Sequence, residues 1–167
     1  RSCSVMRFWL KIASSSAIAN NGSLILNPAV SANYANPITG SGSVTKQGSG
    51  TLTLSGANTF TGDLTLDDGL LNFNSVTALG AGPGTITING GSLDNTSGGD
   101  VIATVNKAQT WNVDLAFAGS NSLDMGSGTV TLGGAGSDFI TTVSANTLTI
   151  GEIKSASRGF VKQGSGT

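Results

Sequence analysis

The chain has 167 residues, a formal net charge of −1 and no histidine, and only 10% of its residues are charged. Such a charge balance provides no basic field for nucleic acid or anionic lipid. The absence of histidine removes the commonest general base and the commonest transition-metal ligand. Cys3 is the one cysteine, which excludes an internal disulfide and a cysteine zinc site. No apolar run reaches the length of about 18 residues that a membrane-spanning helix needs.

Residues 1–19 form a poorly defined N-terminal segment. The mostly apolar segment at 6–10, which includes Arg7, and the sequence Ala17-Ile18-Ala19 allow a signal peptide with its cleavage site. Lys11 interrupts the apolar run, which favours a divergent first coil instead. Because the sequence starts with Arg1 and ends inside a repeated phrase, we expect the chain to be a fragment.

Short strands separated by turns are predicted from Asn20 onward. Ser23–Asn27 follows a turn at residues 20–22 and is ended by Pro28. Residues 34–38 predict another short strand, which Pro37 breaks, and residues 43–45 predict a third.

Residues 46–73 contain the strongest pattern of the chain. Between Gly48 and Leu66 the even-numbered positions are small or apolar except at Asn58, and the odd-numbered positions are polar except at Ala57. A period of two sends alternate residues to opposite faces, as in a strand and unlike a helix. The turn at residues 67–69 shifts the phase, so that the odd-numbered residues from Gly69 to Phe73 face inward.

The rest of the chain continues in short segments bounded by Gly, Asn, Asp or Ser. The predicted strands are 85–88, 92–94, 101–105, 111–117, 122–125, 129–132, 139–143 and 147–150. No segment has ten residues of helical periodicity. The sequence therefore predicts an all-β protein, either a sandwich or barrel or a parallel β-helix. Thin strands, threonine-rich outer faces and glycine corners favour the β-helix, with its coils over residues 20–167.

A phrase within the strongest pattern returns near the end of the chain. The sequence KQGSGT at residues 46–51 is repeated letter for letter at residues 162–167, and self-similarity at long period indicates a repeat architecture. Residues 46–71 resemble the autotransporter-associated β-strand repeat, also called the passenger-associated transport repeat. The resemblance rests on Lys46, Gly48, Gly50, Leu52, Leu54, Gly56, Asn58, Phe60, Gly62, Leu64, Leu66, Gly69 and Leu71. Residues 160–167 look like the start of a second copy.

The resemblance implies a right-handed single-stranded parallel β-helix (β-solenoid), incomplete at both ends. It further implies a surface-exposed or released segment of a bacterial type V autotransporter passenger, attached to the outer membrane or extracellular. The expected partners are the neighbouring β-helical coils of the parent chain, and host or matrix surface ligands are a further candidate. We expect no nucleic acid partner, no cofactor and no enzymatic activity.

Several groups of residues resemble parts of known sites, and we expect none of them to be catalytic, cofactor-binding or metal-binding. Residues 133–141 fit the calcium nonapeptide pattern, but such sites form between tandem copies and one copy favours a glycine corner. The acids Asp67 and Asp68 are adjacent in a turn, where aspartate bonds backbone groups. The remaining acids are Asp63, Asp94, Asp100, Asp114, Asp124, Asp138 and Glu152.

Aromatic residues at 111, 117 and 139 could form a sugar-stacking strip if exposed, but core packing is the favoured interpretation. Asn58 is on the inward phase and is expected to have a structural role. Residues 80–84 lack the Lys-Ser/Thr of a phosphate loop and predict a corner. The two function classes left open are a structural and transport segment and a β-helical polysaccharide-acting enzyme or carbohydrate-binding adhesin module.

Overall fold

The computed structural model describes residues 5–8, 17–134, 137–155 and 158–167, and for residues 5–8 it describes the backbone alone. The described residues form strands and turns and no helix. The strands are β1 (Val5–Phe8), β2 (Ile18–Ala19), β3 (Ser23–Leu26), β4 (Ala32–Tyr34), β5 (Ile38–Thr39), β6 (Ser43–Lys46), β7 (Thr51–Leu54), β8 (Leu64–Leu66), β9 (Leu70–Phe73), β10 (Ile86–Ile88), β11 (Ser92–Asp94), β12 (Val101–Ile102), β13 (Gln109–Trp111), β14 (Leu115–Phe117), β15 (Leu123–Asp124), β16 (Val130–Leu132), β17 (Phe139–Val143), β18 (Leu148–Thr149), β19 (Ile153–Lys154) and β20 (Phe160–Gln163).

The strands stack into a parallel β-solenoid of about seven turns. The first sheet has the order β1-β3-β6-β8-β10-β13-β16-β19, and the second has the order β4-β7-β9-β11-β14-β17-β20. The third side carries two short sheets, β2-β5 and β12-β15-β18. Within the described residues every pairing between strands is parallel. The predicted β-helix is therefore confirmed, and its right-handed sense stays a prediction.

A column of small residues marks the corner before each strand of the first sheet. The register of that sheet aligns Leu24, Val44, Leu64, Ile86, Gln109, Val130 and Ile153. Two positions earlier stand Gly22, Gly42, Gly62, Gly84, Lys107, Gly128 and Gly151, which we call the corner column. We number the coils from it as coil 1 (22–41), coil 2 (42–61), coil 3 (62–83), coil 4 (84–106), coil 5 (107–127), coil 6 (128–150) and coil 7 (151–167). A Cβ at Gly62 would overlap the carbonyl oxygen of Gly42, so close approach of the backbones requires glycine there.

The core lies inside the solenoid and is aliphatic and aromatic. Leu52, Leu54, Leu64 and Leu66 are at most 1% exposed, as the alternating pattern predicts. Burying each such side chain contributes about 1.5–3 kcal/mol. Since one coil contributes only a few of them, each coil depends on its neighbours for stability.

The pattern of residues 48–66 is not one continuous strand. β7 ends at Leu54 and β8 begins at Leu64, yet burial still alternates through the intervening corner. The inward phase is therefore kept around a corner, where the pairing of a strand is interrupted.

Other strand predictions were wrong in extent. The predicted strand 111–117 is split into β13 and β14, which belong to different sheets, because the chain turns a corner at residues 112–114. The predicted strand 34–38 is replaced by β4 and β5 on either side of Pro37. Strand 101–105 is shorter than predicted, whereas 92–94 and 139–143 agree with β11 and β17.

The N-terminal segment is described only in part. Backbone pairing places β1 parallel to β3 and β2 parallel to β5, which continues the stack beyond coil 1. The signal-peptide interpretation depends on residues 9–16, which lie outside the described residues.

Candidate functional site

A lysine lies inside the solenoid at the start of the strongest sequence pattern. Lys46 ends β6 and is fully buried, in a column whose neighbours are Leu26 and Leu66. Its Nζ donates to the backbone carbonyls of Gly48 at 2.6 Å, Asp68 at 2.8 Å and Gln47 at 3.2 Å. The three donors of the ammonium group are thus used, and one of the acceptors belongs to the next coil.

Two glycines make room for this ammonium group. Gly48 and Gly69 have φ values of 76° and 75°, in the left-handed region that side chains disfavour. A Cβ at Gly69 would also meet both Lys46 Nζ and the Gly48 carbonyl. Burial lowers the pKa of Lys46, and the negative charge of Asp68 opposes that shift. The Lys-x-Gly spacing and the later glycine therefore build one buried cation site.

Asn58 performs a similar task on the third side of the solenoid. Coils 2 and 3 have no strand there, although single backbone hydrogen bonds, such as those from the Thr59 N–H to the Ile38 carbonyl and from the Ala81 N–H to the Phe60 carbonyl, still join the coils. The Asn58 side chain is fully buried; its Oδ1 accepts from the Ile38 backbone N–H at 2.9 Å, and its Nδ2 donates to the Ala78 carbonyl at 3.4 Å. It joins coils 1, 2 and 3, which confirms the expected structural role.

On the outside, a ladder of polar side chains follows the end of the first sheet. Asp67 accepts from Gln47 Nε2 at 3.2 Å and from Asn89 Nδ2 at 2.9 Å. Asn112 Nδ2 continues the ladder to Asn89 Oδ1 at 2.7 Å. Lys46 and Asn58 inside, and this ladder outside, connect consecutive coils through side chains in addition to the sheets.

A protein-family model described as Passenger-associated-transport-repeat matches residues 44–73. We call residues 44–73 the transport repeat after this similarity. No curated protein and no solved structure matches the chain significantly. The transport repeat therefore contains Lys46, Asn58, Asp67 and Gly69, so the site is a set of contacts between coils.

In the second KQGSGT phrase, as in the first, the lysine bonds the carbonyl of the glycine two residues later, but Lys162 is exposed and the phrase has another place in the fold. Lys162 Nζ donates to the Gly164 carbonyl at 2.8 Å, and Gly164 has a φ of 81°. β20, which contains Lys162, pairs with β17 in the second sheet, whereas Lys46 lies in the first sheet. Residues 160–167 as the start of a second copy stay a prediction.

The acids cap turns instead of facing one another. Backbone N–H groups donate to a carboxylate oxygen of Asp63, Asp68, Asp94, Asp100, Asp114, Asp124 and Asp138. In several cases the donor belongs to the next coil, as from Thr85 to Asp63 at 2.7 Å. Glu152 lies 3.7 Å from Lys154 in an exposed ion pair, which contributes little.

The candidate calcium site at residues 133–141 lies partly outside the described residues. The calcium nonapeptide interpretation of residues 133–141 includes Ala135 and Gly136, which lie outside the described residues. Asp138 Oδ1 accepts from the Gly159 backbone N–H at 3.1 Å. Among the described residues no group of three or more His, Cys, Asp or Glu could hold a metal ion.

The aromatic residues at 111, 117 and 139 pack in the core. All three are fully buried, and the Trp111 and Phe139 ring centroids are 6.0 Å apart. A sugar-stacking strip made of them is therefore excluded, and core packing is confirmed. Residues 80–84 form the predicted corner, where the Ala81 N–H donates to the Phe60 carbonyl. In the part of the chain that the structure describes, no helix has the length and apolar character to cross a membrane.

Sequence reasoning did not single out two buried polar residues of coil 5. Lys107 occupies the corner column where the other coils have glycine, and Gln109 occupies an aliphatic column. Gln109 Oε1 accepts from Trp111 Nε1 at 3.0 Å, while its Nε2 has no partner. These departures become visible only when the coils are aligned by their strand register.

Proposed function

We propose that this chain is a structural and transport segment of a bacterial autotransporter-type passenger, forming a β-helical stalk and aiding secretion of the passenger. The proposal is supported by the transport repeat at residues 44–73 within a parallel β-solenoid. On this proposal the segment is displayed at the cell surface, attached to the outer membrane or released. Its partners are adjacent coils of the parent chain, and it has no catalytic role.

The proposed mechanism is folding coil upon coil as the chain emerges outside the cell. Closure of coil 3 on coil 2 brings the Asp68 carbonyl to Lys46 and the Ala78 carbonyl to Asn58. Both side chains are buried, so their polar groups are satisfied only when the next coil is in place. The folding of each coil also buries leucines such as Leu64 against the preceding coil. A chain that has folded in this way is biased against sliding back, without a nucleotide-driven step.

The test compares inward and outward substitutions in the transport repeat. One variant carries Leu52→Asp and Leu64→Asp. Its matched control carries Thr51→Asp and Thr65→Asp, which introduce the same two carboxylates at adjacent positions that face outward. Burying unpaired carboxylates costs several kcal/mol each, so we expect surface display of the inward variant to fall on the order of tenfold or more. The control is expected to reach nearly unchanged surface levels.

Display is measured by antibody labelling of intact cells that express the chain within an autotransporter passenger. Total passenger is measured in parallel, because unfolded passenger is expected to be trapped or degraded. Equal surface levels for the inward variant and its control would reject the role in secretion.

A further inference from the structure

Lys107 is the exception in the corner column. The other coils have Gly22, Gly42, Gly62, Gly84, Gly128 and Gly151 at this position. Lys107 is 2% exposed, and lysine is almost never fully buried unless it has a partner. A glycine would avoid the cost of desolvating an ammonium group. The residue therefore needs an explanation beyond the stability of its own coil.

The ammonium group of Lys107 contacts a coil that is not its neighbour. Its Nζ donates to the Gly62 carbonyl at 3.0 Å and lies 5.3 Å from the centroid of the Phe60 ring. Gly62 begins coil 3, whereas Lys107 begins coil 5. The side chain must therefore pass the corner of coil 4, where the column residue is Gly84.

The receiving position is unique among the described coils. Phe60 stands two positions before the corner column, and the corresponding residues elsewhere are Asn20, Gly40, Gly82, Val105, Gly126 and Thr149. Among these seven positions, a ring face for a cation–π contact is thus available only at the junction of coils 2 and 3, inside the transport repeat.

We propose that Lys107 sets the stacking register of the solenoid, by fitting only when exactly one coil separates coil 5 from coil 3. Coils of similar shape could stack in the wrong order, with one coil left out of the stack. If coil 5 stacked directly on coil 3, the ammonium group would reach Gly42 and Gly40 instead of Phe60. It would lose the ring contact while remaining buried. A buried polar group that fixes register at some cost in stability has precedent in coiled coils.

The proposal concerns folding of this chain and does not depend on the proposed function in secretion. It predicts that Lys107→Gly permits the misstacked form in which coil 4 is left out. In the native register Thr110 is aligned with Thr87, and Thr65 lies one coil further. In the misstacked form Thr110 would be aligned with Thr65.

Disulfide trapping distinguishes the two registers. Adjacent parallel strands are about 4.8 Å apart and next-nearest strands about 10 Å apart, while a disulfide requires Cα atoms within about 7 Å. The reporter pair is Thr65→Cys with Thr110→Cys, and the control pair is Thr87→Cys with Thr110→Cys. Both are made in the full chain with Cys3→Ser and refolded from denaturant under oxidising conditions.

We expect Lys107→Gly to raise the fraction of the 65–110 cross-link about tenfold over the parent chain, given a cation–π contact and a charged hydrogen bond. Lys107→Met, which keeps the length of the stem, and Phe60→Leu, which removes the ring, should each raise it as well. The control pair should form in every background.

An unchanged 65–110 fraction in both Lys107→Gly and Lys107→Met would overturn the proposal. Failure of the 87–110 control pair in the parent chain would also overturn it, because the native register would then be wrong.

Discussion

The transport repeat in coils 2 and 3 differs from coils 5 and 6 in how the interior is filled. In one inward column of the second sheet the earlier coils have Gly50, Gly69 and Gly91, and the later coils have Leu115 and Thr141. In the first sheet, Leu66 of the repeat is aligned through Ile88 with Trp111. In these two columns the repeat therefore has smaller side chains than coil 5, although Phe60 and Phe73 of the repeat are also fully buried.

The two regions also differ in how they treat inward polar groups. In the repeat, Lys46 and Asn58 have backbone partners for their buried groups. In the later coils, Gln109 Nε2 and Thr141 Oγ1 are buried without partners. Asn72 Oδ1 of the repeat also lacks one, but it lies in the outward column with Thr53. The comparison teaches that the repeat pairs Lys46 and Asn58 with backbone groups of adjacent coils, whereas coils 5 and 6 leave two buried polar groups unpaired; Lys107, which bonds Gly62, is the exception in coil 5.

The largest expected effect is the loss of volume in coil 5. Trp111→Ala should lower the free energy of unfolding by about 3–5 kcal/mol, because the ring is fully buried against Phe139. Equilibrium denaturation in urea measures the change. A loss below about 1 kcal/mol would contradict the claim that apolar volume stabilises this region.

A smaller loss is expected when a connecting polar group of the repeat is removed. Asn58→Ala leaves the Ile38 N–H without its acceptor, and an unsatisfied buried group costs about 1–3 kcal/mol. The Ala78 carbonyl loses only a long contact of 3.4 Å, which adds little to that cost. The matched control is Asn74→Ala, since Asn74 bonds Thr96 on the exposed surface. Equal losses for the two variants would break the distinction between inward and outward amides.

The pH dependence of stability tests the two buried lysines. Burial lowers the pKa of Lys46 and of Lys107, against the opposing charges of Asp68 and Asp63. In the window between the lowered folded pKa and the ordinary value of 10.5, the unfolded chain holds more protons. Stability should therefore rise with pH in that window.

The measurement is Tm from about pH 8 up to the ordinary lysine pKa of 10.5, and profiles are compared between variants because tyrosine also titrates near about pH 10. The variant with Lys46→Met and Lys107→Met should show a flatter profile. Lys154→Met is the control, since its side chain is 62% exposed. If Tm rose with pH as steeply in the double variant as in the parent chain, or more steeply, the buried lysines would not be the cause of the rise.

The smallest expected effect is a gain in coil 6. Thr141→Val replaces a buried hydroxyl that has no partner by a methyl group of similar size. Removing an unsatisfied polar atom should be neutral or stabilise by up to about 1 kcal/mol. Equilibrium denaturation of this variant and of the parent chain measures the difference in the free energy of unfolding. A loss above about 1 kcal/mol would show that the hydroxyl has a partner.

Much of the fold was predictable from the sequence because the period of two survives corners. Leu52, Leu64 and Leu66 are buried as their alternation predicts, and the thirteen-position repeat indicated the solenoid. The corner at residues 112–114 was missed, because Trp111, Leu115 and Phe117 keep the same inward phase across it. When the inward phase continues without a break, the sequence pattern does not show that the chain has moved to another sheet.

The burial of the two lysines could not be predicted from the sequence. Lys46 was recognised as part of a motif, but its burial depends on Gly69 in the next coil. Lys107 carries no local signal, since its exceptional position requires the coil register, and the coils differ in length. Contacts between coils are set by stacking, which a linear pattern does not contain.

The most direct test of the account is a set of distances along the stack. Spin labels at Ile25 and Thr131, or at Thr45 and Thr131, report outward positions of one column in the first sheet. In the chain with Cys3→Ser, pulsed electron resonance should give about 19 Å between backbones for the 45–131 pair and about 24 Å for the 25–131 pair, one strand spacing more. Two pairs with equal separations, or with separations unrelated to the number of coils between them, would contradict the stacked parallel solenoid.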